Sequence, residues 1–324
     1  MASLELPGVE IAAVADRDGE RASVLAAQFG AVACASVEEL VARGLVDAVY
    51  IALPHRLHGG AVVEAASAGL HVLVDKPMCS SEAEAASILS ARDRAGVVVM
   101  VGFSHRFTTE LRDAKDVVES GELGDLAFLS DLVVEGLASS PDWYWDEEGG
   151  GVLQLQAHHS FDRAAWLVGS PITEIGANVR SGDERARGGA ASLAVRFASG
   201  LIGSLGFGLQ CAYGATPIVQ LVLQGTRGLL RVDTWEALTV ESATRSVRRR
   251  SDGGPWLQCE LEEFIAAIRD RRAPSATAED GLAALRCALA ARRSAATGSP
   301  VAVAVGAPVG GAGVAYQSDQ STGA

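Results

Sequence analysis

The sequence predicts an α/β protein in which a parallel-sheet domain precedes an α+β domain with an open, mainly antiparallel sheet. Short apolar segments alternate with amphipathic helical segments from residue 9 to residue 103, and this pattern indicates a parallel sheet covered on both faces. After Phe103 the strand-like segments become longer and are separated by turn residues, as in antiparallel sheets. With 324 residues and 48% hydrophobic content, the chain can bury the cores of two domains.

Five strands and four helices are predicted in the first region, which we assign to a domain over residues 1–103. Gly69 and Gly96 follow the last two of these helices, at positions where glycine commonly ends a helix. The strands are predicted at 9–15, 31–35, 47–53, 71–75 and 97–103, and the helices at 19–29, 37–42, 59–68 and 82–95.

The second region, residues 104–305, is predicted to combine a sheet with four helices. Plausible hairpin turns occur in "FASGLI" and "QGTRGLL". Strand segments are predicted at 126–136, 172–180, 191–210, 217–234 and 237–242, and helices at 108–120, 151–168, 258–271 and 278–296. The glycine-rich tail, residues 306–324, is predicted to be flexible.

Charge and cysteine content narrow the class of protein. The net charge of −13 argues against a nucleic acid or an anionic membrane as a partner, since both favour basic surfaces. Apolar runs stay shorter than a membrane span, and Met1 is not followed by a signal-peptide pattern. The five cysteines are scattered and form no Cys-x-x-Cys pair, so neither a disulfide framework nor a zinc site is expected. A cytoplasmic protein without a metal fits these properties.

Ligands of open parallel sheets bind beyond the carboxyl ends of the strands, so the loops after Ala15, Leu53, Asp75 and Phe103 are the candidate sites. Asp16 ends the first predicted strand, where a dinucleotide-binding fold places an acid against the adenosine ribose. Its charge would repel a 2′-phosphate and favours NAD over NADP. Arg17, the next residue, could instead accommodate that phosphate.

Lys76 is the second candidate, because it and Lys115 are the only lysines in the chain. It follows a predicted strand, and Pro77 after it restricts the backbone. Burial would lower the pKa of such a lysine towards the working range of an enzyme. The alternative is an ordinary solvated charge.

His159 is the third candidate and lies in the stretch "GGGVLQLQAHHSFDRAAWLVG". On one continuous helix, Leu155, His159 and Asp162 would share a face. Histidine is the side chain best suited to exchanging a substrate proton near neutral pH. The alternative is a histidine that serves only the core or the surface.

These motifs together resemble the Gfo/Idh/MocA family of NAD(P)-dependent oxidoreductases, which includes glucose–fructose oxidoreductase and inositol dehydrogenase. The resemblance rests on "LPHRLH", "AGLHVLVDKP", "GFSHRF" and the His159 stretch, in this order, and runs from Leu6 to about Val303. It implies a Rossmann domain for the cofactor and a second domain that supplies most of the substrate pocket. It also implies NAD as the cofactor, with NADP possible, and a small sugar or polyol as the substrate.

The resemblance also implies site residues. The family's Glu-Lys-Pro motif corresponds to Asp75-Lys76-Pro77, and its lysine lies beside the nicotinamide and the reacting hydroxyl. The family's active-site histidine corresponds to His159, and the positions that line the nicotinamide correspond to Leu53, Pro54, His55 and His58. One position departs from the pattern. Many sugar and inositol dehydrogenases carry an aspartate where this chain has Leu155, and its neighbours Gln154 and Gln156 would point about 100° away on a regular helix.

We therefore expect His159 to act as general acid/base and Lys76 to polarise the substrate oxygen, although these two roles could be exchanged. Further substrate contacts are expected from a set of polar and aromatic residues, each with a structural role as its alternative. The set comprises Arg106, Trp143, Tyr144, Trp145, His158 and Asp162.

The predicted activity is hydride transfer between NAD(P) and a carbinol or carbonyl carbon of a sugar, inositol or related polyol. The alternatives are a relative that uses NAD transiently in glycoside cleavage and a non-catalytic member. A homodimer or homotetramer is expected to form through the C-terminal sheet. In the family a first strand, a Gly-x-Gly-x-x-Gly loop and a helix precede "LPGVEIAAVADRD", and this sequence begins without them. We expect Met1 to be an internal methionine of that helix, the alternative being a damaged or repurposed relative.

Overall fold

The computed structural model describes residues 6–136, 151–181, 189–210, 217–243 and 245–306. Parallel sheets occupy the first region and a large mixed sheet the second, so the predicted α/β fold class is confirmed. Within these residues no helix combines the length and the apolar character needed to cross a membrane.

The first region contains two parallel sheets. Strand β1 pairs with β2, and β4 lies between β3 and β5 in the second sheet. The strands are β1 (Ala13–Ala15), β2 (Val32–Cys34), β3 (Ala48–Ile51), β4 (His71–Asp75) and β5 (Val99–Gly102). The helices are α1 (Gly19–Phe29), α2 (Val37–Arg43), α3 (His55–Ser67) and α4 (Glu82–Ala95).

Local signals explain most of these helix ends. The carboxylate of Asp18 accepts hydrogen bonds from the amides of Glu20 and Arg21 at the start of α1. Ser81 and Glu84 form a reciprocal capping box at the start of α4. Gly96 ends α4 in the left-handed conformation that glycine adopts without strain. These caps place the helices close to where the sequence predicts them.

Helix α3 begins earlier than predicted, at His55 rather than at residue 59. Pro54 precedes its first turn, and the amide of Leu57 donates to the Pro54 carbonyl at 2.8 Å. Gly59, where the predicted helix starts, lies inside α3, and a Cβ atom there would stand 2.9 Å from Cδ of Glu84. As a result His55 and His58 lie in the first turn of α3.

The second region is built around a nine-stranded sheet with the order β13-β12-β11-β10-β6-β9-β8-β7-β14. Only the β6–β9 pair is parallel among the described strands of this sheet. The strands are β6 (Leu126–Gly136), β7 (Ile172–Ser181), β8 (Gly189–Phe197), β9 (Ile202–Gln210), β10 (Ile218–Gly225), β11 (Gly228–Asp233), β12 (Ala237–Ser242), β13 (Ser246–Arg250) and β14 (Val301–Ala302). The helices are a 3₁₀ turn (Ser104–Phe107), α5 (Thr109–Glu119), α6 (Gly151–Leu155), α7 (Ala157–Val168), α8 (Trp256–Arg269) and α9 (Ala278–Thr297).

The predicted helix over 151–168 is wrong in one respect, because it is two helices that meet at Gln156. Gln156 has φ −109° and ψ −38°, and its Nε2 atom donates to Oε2 of Glu135 at 3.0 Å. The regular 100° spacing used for Gln154 and Gln156 therefore does not continue into α7. His159 and Asp162 lie within α7 itself.

Helix α9 packs against both regions of the chain, since it contacts α4 and β5 on one side and α7 and β7 on the other. Just before it, the carbonyl of Ala276 accepts a hydrogen bond from the amide of Val101 at 3.0 Å. Ion pairs Arg92–Glu279 (2.8 Å) and Arg286–Glu82 (2.9 Å) add to this attachment. The parallel-sheet region is thus completed by residues from near the end of the chain.

Candidate active site

The carboxyl ends of β3, β4 and β5 bring the predicted residues together. Leu53, Pro54 and His55 follow β3, Asp75 ends β4 before Lys76 and Pro77, and the 3₁₀ turn follows β5. Helix α7 adds His158 and His159 to this cluster. The charge of Lys76 lowers the pKa of both histidines, which indicates that they lie near it. Lys76, His55, His158 and His159, named separately from the sequence, thus occupy one site.

Lys76 is half-buried at this site. Burial lowers the pKa of its ammonium group, while the nearby carboxylates of Asp75 and Glu135 oppose that change. Asp75 is itself held by Tyr50, whose hydroxyl donates to Oδ1 at 2.8 Å. A lysine with a lowered pKa gives up its proton more readily than a solvated one, and this suits proton exchange with a substrate oxygen.

His58 lies fully buried beneath the loop that carries Lys76. Its Nδ1 atom is 2.7 Å from the carbonyl oxygen of Pro77, and its Nε2 atom is 2.7 Å from that of Leu53. Carbonyl oxygens only accept hydrogen bonds, so each contact is a hydrogen bond when the ring nitrogen that faces it carries a proton. His58 therefore joins the loops after β3 and β4.

His55 and His158 are buried and neutral. Burial, followed by the charge of Lys76, lowers the pKa of each ring to about 3. Both ring nitrogens of His158, which is 1% exposed, have no hydrogen-bond partner among the described residues. Buried polar atoms are rarely left unpaired in proteins. These nitrogens are therefore available to the polar groups of a bound ligand or to a buried water.

His159 is half-buried and lies against the ring of His105. Burial lowers its pKa well below the usual value, and His105, Lys76, Arg163 and His158 act in the same direction. His159 is thus neutral near pH 7 and able to accept a proton. Its Nδ1 atom has no hydrogen-bond partner within the part of the chain that the structure describes.

Arg106 and Asp162 are paired with each other in the interior. Nε of Arg106 donates to Oδ2 of Asp162 at 2.8 Å, and Nη2 donates to Oδ1. Arg106 also donates to the carbonyl of Ser275 and lies 3.3 Å from Asp280. Burial raises the pKa of Asp162 to about 6, and the adjacent Arg106 guanidinium opposes that rise. The pair lines a cavity of about 390 Å³ between α7 and α9.

Asp16 stands at the carboxyl end of β1, in the other parallel sheet. Its Oδ1 atom accepts a hydrogen bond from the amide of Asp18 at 2.9 Å, and Oδ2 lies 3.5 Å from Nη1 of Arg21. The side chain remains 28% exposed, which leaves the carboxylate accessible to ribose hydroxyls. Arg17 beside it is exposed. An accessible acid at a strand end has the chemistry to accept hydrogen bonds from the adenosine ribose of a dinucleotide.

Some predicted site residues fall outside the described part of the chain, and the structure adds candidates that were not predicted. Trp143, Tyr144 and Trp145 fall outside the described residues. The structure adds a set of residues that the sequence did not single out, namely Glu135, His105, Arg163 and Asp131. Two of these adjoin predicted residues, since His105 precedes Arg106 and Arg163 follows Asp162. Runs of neighbouring polar residues in "SHRF" and "HHSFDR" were the available signal.

Comparison with protein families gives two matches that follow one another along the chain. Residues 2–103 match the model of an oxidoreductase family with an NAD-binding Rossmann fold, named GFO_IDH_MocA. Residues 111–231 match the model of the GFO/IDH/MocA C-terminal domain.

Individual proteins show the same similarity. The chain is 32% identical over 253 residues to the dTDP-3,4-didehydro-2,6-dideoxy-α-D-glucose 3-reductase of Streptomyces violaceoruber, a match that covers 76% of this chain and 72% of that protein. It is 27% identical over 272 residues to the myo-inositol 2-dehydrogenase of Thermotoga maritima, covering 79% of each. A levoglucosan dehydrogenase solved with NADH and levoglucosan has the same fold, with a TM-score of 0.81 and 23% identity over 91% of this chain and 90% of that one.

Proposed function

The chain belongs to the Gfo/Idh/MocA family of NAD-binding oxidoreductases, and from this membership we propose that it transfers a hydride between NAD and a carbinol carbon of a sugar, inositol or related polyol. The substrate class is supported by relatives named as a dideoxysugar reductase and an inositol dehydrogenase. The observation that carries the proposal is the cluster of Lys76 with neutral His159 at the carboxyl ends of β3 and β4.

The cofactor is bound by residues that follow the carboxyl ends of the strands. Asp16 accepts hydrogen bonds from ribose hydroxyls, and its charge disfavours a 2′-phosphate, so NAD is preferred over NADP. Leu53, Pro54, His55 and the Asp75–Pro77 loop line the nicotinamide side, with His58 holding the two loops together. A bound nicotinamide cofactor would supply the hydride chemistry, the oxidised form as acceptor and the reduced form as donor.

The chain's own residues handle the proton. His159 is neutral and accepts the hydroxyl proton of the substrate during oxidation. Lys76 lies close enough to the histidines to shift their pKa values, and its ammonium group polarises the same oxygen. His158 supplies ring nitrogens without protein partners for a further substrate hydroxyl or for the cofactor. In the reducing direction the same groups return the proton.

A second copy of the chain is proposed to cover one face of the large sheet. That face exposes Leu132 (39%), Ile202 (49%) and Ile218 (47%), and the register of β6 with β9 and β10 places them on the same side. Small residues such as Ser204 and Gly206 lie between them and allow close approach of another sheet. This supports a homodimer, or a homotetramer built from such dimers.

The cytoplasm is the proposed location. The cysteines in the described part of the chain, Cys34, Cys79, Cys259 and Cys287, are free thiols. Three of them are buried, and a reducing compartment suits a protein whose cysteines are not bridged.

A panel of inositols, hexoses and deoxysugars, each with NAD and NADP, tests the activity by following absorbance at the wavelength of the reduced cofactor. Cofactor-linked oxidation of at least one polyol, faster with NAD, supports the proposal. Glycoside cleavage that needs NAD but yields no net NADH would replace it with the transient-redox alternative. Absence of both turnover and thermal stabilisation by either cofactor would indicate a non-catalytic relative.

A further inference from the structure

Asp131 and Arg163 form an ion pair in the interior behind the candidate active site. Nε of Arg163, on α7, donates to Oδ2 of Asp131, on β6, at 3.0 Å, and Nη2 donates to Oδ1. Both residues are only 1% exposed. A paired and hydrogen-bonded guanidinium keeps its charge in such a place.

The same guanidinium has one further N–H directed at a histidine. Nη1 of Arg163 lies 3.0 Å from Nδ1 of His105. Arginine has donors only, so Nδ1 of His105 must accept this hydrogen bond with its lone pair. A neutral His105 therefore carries its proton on Nε2. Burial, then the charge of Arg163, holds the pKa of His105 well below the usual value.

His105 is fixed on its other sides as well. Its ring is stacked on that of His159, with centroids 4.1 Å apart and an angle of 9° between the planes. Trp235 meets His105 at right angles, with centroids 5.4 Å apart. His105 thus transmits the position of a buried ion pair to the ring of His159.

We propose that Asp131, Arg163 and His105 are positioning residues that hold the ring of His159 in one orientation and keep it neutral, so that it accepts rather than donates the first proton. The role of His159 as proton acceptor rests on the proposed function, whereas its fixed neutral state does not.

The charges around His159 agree with this assignment. Lys76 faces it from the loop after β4, His105 from the 3₁₀ turn, and Arg163 and His158 from α7. Each of these groups disfavours a positive charge on His159. The carboxylate of Asp131 is bound by Arg163, and Glu135 acts on Lys76. A protonated His159 would therefore lie among groups that repel it or stay neutral.

The test uses the full-length protein, without cofactor or substrate, and observes the histidine ring nitrogens by long-range ¹H–¹⁵N NMR. The chain has six histidines, so the variant His105→Phe identifies the signals of residue 105. The test variant is Asp131→Leu with Arg163→Met, which removes both partners and leaves no unpaired buried charge. The matched control is Arg106→Met with Asp162→Leu, which removes another buried ion pair of α7, this one with the 3₁₀ turn that carries His105.

In the unaltered protein we expect His105 to carry its proton on Nε2 and His159 to remain neutral at pH 6. In the Asp131/Arg163 variant the two tautomers of His105 should mix, and the titration midpoint of His159 should rise by about 1 pH unit or more. The control variant should change neither the tautomer of His105 nor the titration midpoint of His159. If a substrate is found, the acidic limb of kcat for oxidation should move with the midpoint.

A proton on Nδ1 of His105 in the unaltered protein would overturn the proposal. So would an unchanged His159 midpoint in the test variant, or an equal shift in the control, which would show a general loosening of α7. Failure of the proposed function would be seen as an absence of turnover with every cofactor and substrate. The NMR test uses neither, so its result does not depend on that outcome.

Discussion

Nδ1 of His58 lies 2.7 Å from the carbonyl oxygen of Pro77, one residue beyond Lys76. Because Nε2 lies equally close to the carbonyl oxygen of Leu53, the substitution His58→Leu should remove the ring that contacts both carbonyl groups. We expect a loss of about 2–4 kcal/mol in the free energy of unfolding, measured with urea, and a lower kcat as the Lys76 loop loosens. The control His71→Leu breaks a single bond, from the Val98 amide at 2.9 Å, and should cost less. If both variants lose the same free energy of unfolding, His58 does not hold the loops after β3 and β4 together.

Lys76 and Lys115 form a natural pair of test and control, since they are the only lysines. Lys76→Met should lower kcat by about 10²–10³, as expected for loss of the charge that polarises the substrate oxygen. Lys115 donates to the Trp166 carbonyl at 2.7 Å and lies away from the cluster, so Lys115→Met should keep its rate. Steady-state kinetics measures both. A Lys76→Met enzyme with more than a tenth of the normal rate would remove Lys76 from the mechanism.

Asp16 should decide which cofactor is used. Asp16→Ser removes the charge that opposes a 2′-phosphate, and we expect the ratio of kcat/KM for NADP over NAD to rise about five- to tenfold, the effect of one exposed charge. Asp18→Ser is the control, because serine also caps a helix and keeps the start of α1. An unchanged ratio in Asp16→Ser would place the adenosine ribose elsewhere.

Glu260 should make stability depend on pH. Its side chain is 4% exposed, and its Oε1 atom has no hydrogen-bond partner among the described residues. Burial raises its pKa from 4.5 to about 8, and the charge of Asp75 adds to this rise. Between these two pH values the folded state binds more protons than the unfolded state. Stability should therefore fall as the pH rises from about 5 to 8, with a slope of up to about 1.4 kcal/mol per pH unit.

Glu260→Gln should remove that slope, so that the variant gains stability over the unaltered protein at pH 8 but not at pH 5. Thermal and urea unfolding across this range measure the effect. Glu262→Gln, an exposed position on the same helix, is the control and should leave the slope unchanged. A slope that survives in Glu260→Gln would have to come from another group.

The exposed face of the large sheet should control assembly. Leu132→Arg and Ile202→Arg each place a charge among residues proposed to meet a second copy, and either should lower the mass measured by light scattering to that of one chain. Val24→Arg, on α1 and 59% exposed, should have no effect. If the sheet variants retain the mass of the unaltered protein, the copies meet through another surface.

Local signals made much of the fold predictable. The side chains of Asp18, Ser36 and Ser81 cap the first turns of α1, α2 and α4. The predicted bounds of these three helices agree with the structure to within one residue. Strand β13 was not predicted, because "SVRRR" has the composition of a solvated segment and becomes a strand only by pairing with β12. The break at Gln156 coincides with its bond to Glu135, a partner distant in sequence.

Part of the candidate site could likewise be predicted from the sequence, and part depends on tertiary packing. The resemblance to a family was enough to name Lys76 and His159. The chain from Asp131 through Arg163 to His105 joins a strand, a helix and a 3₁₀ turn, and only tertiary packing brings these segments together. Arg106 and Asp162 were expected to contact a substrate or to be structural, and their mutual ion pair occupies the charged groups of both.

The packing of α9 on β5 and α4 has a consequence for synthesis of the protein. Domains generally fold in order as they leave the ribosome. Here β5 and α4 are contacted by residues 276–297, which follow strands β6 to β13 along the chain and are made after them. We therefore expect the surface of β5 that α9 covers to stay exposed in the nascent chain until α9 has been made.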